Sequence, residues 1–208
     1  MATAIVTRLD RTGGRASVRQ FVVMTALLLI STAAVPAAST QPGPISVHGD
    51  RGVYRVAASF VTAQPMAVAH AVLTDYERIP RFMPDVRSSR VLERGSGRAV
   101  VEQEAVARVL FFSKQVRLVL DVQEAPAEIH FRDRSGASFV RYEGTWTLRE
   151  QDGHAVIGYE LLAEPGFDVP EFILTRLLKR DAGRMIERLQ AEITARAARP
   201  AAGAPAAR

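Results

Sequence analysis

From about Val86 to Glu164, apolar residues alternate with polar or charged ones through six successive short runs, and one long amphipathic segment follows. Alternation with a period of two marks a strand with one buried face. The runs are Val86–Arg94, Arg98–Leu110, Lys114–Glu124, Glu128–Arg134, Ser138–Arg149 and His154–Glu164. Gly95-Ser96-Gly97, Ala125-Pro126-Ala127, Ser135-Gly136 and Asp152-Gly153 separate them and supply turn chemistry. Connections this short pair neighbours antiparallel, so the six strands form a meander. Its apolar face needs a cover, and the large amphipathic element available is a helix from Pro170 to about Ala195. Leu174, Leu177, Leu178, Met185, Leu189 and Ile193 form its stripe. Asp168 and Glu171, either side of Pro170, are expected to cap it. The fold class expected is α+β, a curved sheet wrapped around its last helix.

Before the meander, Val53–Val61 alternates as a strand and can pair with Ile45–Val47 across Gly49–Gly52. Pro65–Thr74 then has helical composition, with proline tolerated in the first turn. Asp75–Met83 reads as a second short helix stopped by Pro84. The alternation also sorts side chains by face. The inward parity holds Val101, Ala105, Ala107 and Val109, then Val116, Leu118, Leu120 and Val122. It continues with Ile129 and Phe131, then Val140, Tyr142, Trp146 and Leu148, then Ile157, Tyr159 and Leu161. Glu102, Glu104, Arg108, Arg117, Asp121, Arg132, Arg141, Glu143 and Glu160 take the outward parity.

The two ends differ from this body. Arg8, Arg11, Arg15 and Arg19 precede an apolar run, Phe21–Ile30, and small residues follow at Ala33, Ala34, Ala37 and Ala38. That is the order of a secretory signal, and the run is shorter than the ~20 residues that span a bilayer comfortably. Residues 1–38 are therefore expected to be a signal peptide, with an uncleaved membrane anchor as the alternative. Residues 39–45 follow as a linker, 46–197 as the folded domain and 198–208 as a disordered Ala/Pro/Arg tail. The expected location is periplasmic or secreted, or membrane-anchored on the alternative reading. The formal charge of +5 belongs to the ends, because the body holds 20 basic against 21 acidic residues. A body so balanced offers no clustered positive face, which argues against nucleic acid as a partner. The chain has no cysteine, so thiol catalysis and thiolate metal sites are excluded.

Ala71-Val72-Leu73-Thr74-Asp75-Tyr76-Glu77, followed by Pro80-Arg81-Phe82-Met83-Pro84, resembles the first helical segment of START-like proteins. Glu143-Gly144-Thr145-Trp146 and the amphipathic C-terminal helix are similar to the same superfamily, also called SRPBCC or Bet v 1-like. Polyketide cyclases and coenzyme-Q-binding START proteins are among its members. The resemblance spans roughly residues 50–195. It implies a helix-grip fold, with a seven-stranded antiparallel sheet around the last helix and two short helices after the first strand. It also implies an apolar cavity between sheet and helix, of the kind that holds lipids, quinones, sterols or polyketides. Members divide between carriers and enzymes, so the fold alone leaves function open.

No G-x-S-x-G elbow, Walker-type loop or dinucleotide glycine pattern is present. His48, His70, His130 and His154 are scattered without metal-ligand spacing, and neither a metal nor a cofactor is expected. His70 stands out among them because its helix would line the cavity mouth. Glu102 and Glu104 share a face, yet their parity is the charged one, and cross-strand ion pairing explains them more simply than an acid/base pair. No catalytic residue is therefore assigned. Phe82, Gln103, Leu118, Phe131, Tyr142, Trp146, Tyr159, Phe172 and Met185 are expected to line the cavity. Phe111 and Phe112 lie near a hairpin end and are a candidate membrane contact, with end-of-core packing as the plainer alternative. The expected protein is a monomeric, exported binder of a hydrophobic small molecule. A cyclase or aromatase is the alternative, and would have to use Tyr142, Tyr159, Gln103 or His70.

Overall fold

A computed structural model describes residues 43–109 and 112–199, with the side chains of Val109 and Phe112 outside that description. The signal segment, most of the linker, Phe111 and nearly all of the tail fall outside the described residues. So does any side-chain contact by Phe112. Among the described residues, no helix is long and apolar enough to cross a membrane.

The chain runs β1 (Ser46–Asp50), β2 (Val53–Thr62), α1 (Met66–Leu73), a 3-10 turn (Tyr76–Arg78) and α2 (Ile79–Phe82). It continues through β3 (Val86–Gly95), β4 (Arg98–Val109), β5 (Phe112–Ala125), β6 (Glu128–Asp133), β7 (Phe139–Gln151) and β8 (His154–Pro165) to α3 (Glu171–Ala197). All strands join one antiparallel sheet in the order β1-β2-β8-β7-β6-β5-β4-β3. After β2 the helices carry the chain to the far edge, and the meander returns until β8 pairs with β2. The sheet thus has eight strands, one more than the seven implied by the resemblance. The addition is β1, which pairs with β2 from Ser46↔Ala57 to Asp50↔Val53. Arg51 and Gly52 make the turn, with φ of 49° and 83°. Two central residues at positive φ match the twist of the flanking strands, and Asp152 and Gly153 (51° and 74°) repeat the solution between β7 and β8.

The core follows the inward parity. Val101, Leu120, Val122, Ile129, Leu148, Ile157 and Leu161 from the sheet are buried with Val72 of α1 and Ile186, Leu189 and Ile193 of α3. Val140 departs from it and is 70% exposed. A register shift between Phe139 and Arg141 puts one extra residue into β7, so Phe139 and Tyr142 face inward together while Val140 turns out. The outward charges pair across strands, with Arg90 on Glu102 at 2.6 Å and Arg117 on Glu104 at 2.7 Å. Glu102 and Glu104 are thus surface ion-pair partners, each pair contributing roughly 0.2–1 kcal/mol.

α3 begins at Glu171 with Pro170 as N-cap and no side-chain cap hydrogen bond, so the expected Asp168/Glu171 cap does not form. Its far end is pinned by Arg196, which donates to Asp75 at 2.9 Å, to the Ala71 carbonyl at 3.2 Å and to Glu192 at 3.0 Å. α3 packs mainly on α1, β1 and β2. Its other side stands off from the middle of the sheet, and the site lies there.

Candidate functional site: an apolar cavity with a charged rim

A cavity of about 590 Å³ lies between α3 and the inner face of β5–β8, within the roughly 300–1,000 Å³ usual for small-molecule sites. Leu120 and Val122 of β5, Ile129 and Phe131 of β6, Tyr142 and Trp146 of β7 and Tyr159 of β8 form its wall. These are the inward positions of consecutive strands, brought side by side by the antiparallel register. Val72, Leu73, Tyr76, Ile79, Phe82 and Met83 close it from the helical segment, and Met185 and Leu189 from α3.

The wall is a chain of aromatic rings. Trp146 lies 4.4 Å from Tyr159, Tyr159 6.4 Å from Phe131, Phe131 6.0 Å from Tyr142, and Tyr142 4.9 Å from Phe139. Gly144, inward between Tyr142 and Trp146, makes room for the Phe131 ring. A Cβ there would stand 2.5 Å from that ring and 2.3 Å from the Glu160 carbonyl oxygen. The glycine of the Glu143–Trp146 segment is thus needed for packing against the cavity wall.

Inside, polarity is confined to Gln103, Tyr142 and Tyr159, with Tyr76 at one end. Gln103 donates to Ser89 Oγ at 3.2 Å. Burial pushes the Tyr159 phenol well above its ordinary range, and Tyr142 adds to the effect. Burial raises Tyr142 as well, against the hydrogen bond from Tyr159. Tyr76 donates to Glu124 at 2.8 Å, and the Arg94 guanidinium lies 5.3 Å from the ring centre. Burial and then Glu124 push the Tyr76 phenol up. Burial followed by Glu171 does the same for Tyr54. All four tyrosines of the chain are therefore shifted upward. A raised phenol stabilises the fold below the unfolded value, about pH 10, and that contribution is lost as pH rises above it, because only the unfolded chain then releases the proton. Ultraviolet absorbance should accordingly show no tyrosinate step near pH 10, and ionisation should coincide with alkaline unfolding followed by circular dichroism. A reversible step near pH 10 with the fold intact would contradict these environments.

The mouth is charged. The exposed lining residues are Pro84, Arg108, Arg184, Glu187 and Arg188. Asp85 pairs with Arg108, and Arg180 donates to the Arg108 carbonyl at 3.2 Å while pairing with Asp181 at 2.9 Å. These contacts tie the start of β3, the end of β4 and the middle of α3 along one side of the opening. The Asp181 carboxyl is raised by burial, against its hydrogen bond to Arg180.

Seven of the nine expected lining residues border the cavity: Phe82, Gln103, Phe131, Tyr142, Trp146, Tyr159 and Met185. Leu118 faces inward opposite Gln103 but is buried in the packed core, away from the open space. Phe172 is 76% exposed. It lies two residues, about 200° of helical turn, from buried Leu174, so the side of α3 that meets the body leaves it in solvent. His70 is also away from the cavity, with Nε2 3.2 Å from the Ala125 carbonyl oxygen. Nothing in the sequence marks Tyr76, Ile79, Met83 or the rim charges as cavity lining, although Tyr76 and Met83 fall in the START-like segment. Leu120, Val122 and Ile129 carried the right parity, but nothing distinguished them from packed core. Among the described residues no group of His, Asp or Glu side chains is placed to hold a metal ion.

A sheet that grips its last helix around an apolar cavity is the architecture of the START/Bet v 1 superfamily. Within it, the chain belongs to the family described as polyketide cyclase / dehydrase and lipid transport, which matches residues 62–190. Solved structures share the fold at low identity. The Zhui aromatase/cyclase from Streptomyces sp. R1128 is 16% identical with a TM-score of 0.60, over 69% of this chain and 95% of its own. A START superfamily protein from Mycobacterium smegmatis is 16% identical with a TM-score of 0.58, over 68% and 97%. A STAR-related lipid transfer protein from Xanthomonas axonopodis is 16% identical with a TM-score of 0.54, over 72% and 98%. No curated protein matches the chain.

Proposed function

We propose that the protein is an exported carrier that holds a hydrophobic small molecule, a lipid, quinone or similar, between the sheet and α3 without chemistry. The cavity itself carries this reading: about 590 Å³ of space walled by aromatic and aliphatic side chains, with neutral groups as its interior polarity. Such a lining favours an apolar molecule and gives it a few hydrogen bonds for orientation. Solved relatives described as a lipid transfer protein and an aromatase/cyclase are consistent with a hydrophobic occupant. Export rests on the signal-like pattern of residues 1–38.

The second reading, a cyclase or aromatase, would depend on Tyr142 and Tyr159. Their raised phenols stay protonated at neutral pH, so they can donate a hydrogen bond to a carbonyl but cannot take a proton from carbon. That asymmetry favours the carrier. The test is uptake of an apolar molecule by the ligand-stripped domain, read through Trp146, the one tryptophan of the chain. A saturable, one-to-one change in its emission is expected, and its absence would remove the carrier reading.

A further inference from the structure

Half of the charged residues lining the rim are matched. Asp85 is taken by Arg108 and Asp181 by Arg180. Arg184 and Arg188 are different. Both are exposed, both border the cavity, and neither has a carboxylate in salt-bridge range among the described residues. Arg184 is near enough to Asp181 to draw its carboxyl down slightly, but Arg180 holds that carboxylate. Glu187, also on the rim, is likewise in no ion pair among the described residues. The three unpaired groups thus leave one net positive charge beside the opening.

Their placement is specific. Arg184 and Arg188 are four apart on α3, one turn along the same side of the helix. Like charges at that spacing destabilise a helix modestly. Beside them, each the next residue along the helix and about 100° further round, Met185 and Leu189 face the cavity, which leads to the aromatic wall of Tyr142, Trp146 and Tyr159. A molecule lying with its apolar body on that wall and its end at the mouth would bring that end to the two guanidiniums. Guanidinium binds carboxylate and phosphate through paired, charge-assisted hydrogen bonds.

We infer that the ligand is an amphiphile with an anionic head, carboxylate or phosphate, its tail in the cavity and its head on Arg184 and Arg188. This rests on the carrier reading and adds the ligand's class and orientation.

The test uses twelve-carbon probes that share one tail: dodecanoate, dodecyl phosphate, neutral dodecanol and cationic dodecyltrimethylammonium, each titrated below its micelle concentration against Trp146 emission. Dodecanoate or dodecyl phosphate should bind about tenfold more tightly than dodecanol, and the preference should shrink as salt is raised. The better of the two anions identifies the head. In R184Q/R188Q the preference should fall below about twofold while dodecanol affinity stays unchanged. E187Q, which removes the unpaired rim carboxylate, should strengthen anion binding. Both variants alter exposed positions, so circular dichroism should show an unchanged fold. Equal affinity for anionic and neutral heads in the wild type, or a preference that survives in R184Q/R188Q, would overturn the inference and leave the carrier reading standing. No response to any of the four probes would overturn both.

Discussion

Phe60→Ala is expected to cost about 3–5 kcal/mol and to lower the melting temperature by roughly 6–20 °C in calorimetry. Phe60 is 1% exposed, among the largest fully buried side chains, and sits on β2 opposite Ile157 of β8, where the meander closes back on the first strands. It does not line the cavity. Removing its ring therefore leaves a void in close-packed surroundings, and the rigid sheet cannot collapse to fill it. Phe82→Ala makes the instructive comparison. Phe82 is half-buried and borders open space, so part of its contact surface is already unpaired, and its loss should cost less than half as much. Comparable losses at the two positions would mean that the cavity is collapsed in solution.

Gly144→Ala is expected to destabilise by about 1–3 kcal/mol and to weaken uptake of the apolar ligand as well. The added methyl would stand 2.3 Å from a backbone oxygen of the neighbouring strand and 2.5 Å from the Phe131 ring. The ring can relieve its contact by swinging into the cavity, whereas the carbonyl can do so only if β7 and β8 part. Stability and capacity should hence fall together. Gly95→Ala is the control: an added methyl meets nothing within 4 Å at the end of β3, and both readouts should match the wild type. A Gly144→Ala protein with wild-type stability would show that Phe131 does not rest where the structure puts it.

The sheet was legible because an antiparallel meander with one solvated face writes itself as alternation. Every strand from β2 to β8 is recoverable in this way, and the C-terminal helix from its stripe. The departures have local causes. β1 is short and half-polar, so it read only as a possible partner of β2. Val140 has the inward parity by sequence, but a bulge inserts one residue without any mark in the pattern and turns it out. Phe172 is aromatic like the wall residues, yet it lies off the buried side of α3. The cavity was less legible than the fold for a deeper reason. Packed core and cavity wall have the same inward apolar parity, so Leu118 and Leu120, two apart on β5, look alike, and what separates them is where along the strand the cavity opens. The rim was not legible at all. Asp85 and Arg108 come from the paired β3 and β4, and Asp181, Arg184 and Arg188 from α3 much later in the chain, and only the placing of that helix across the sheet brings them together.

Trp146 offers the most direct measurement, because its ring lies at the cavity wall, tilted at 37° and 4.4 Å from Tyr159. Residues 39–208 would be stripped of bound molecules with organic solvent, refolded, and titrated with the apolar fluorophore N-phenyl-1-naphthylamine. The expected result is saturable energy transfer from Trp146 at one probe per chain, reversed by molecules recovered in the extract. Emission that stays unchanged while the probe is added, from a chain whose circular dichroism shows it folded, would contradict a ligand-holding cavity between the sheet and α3.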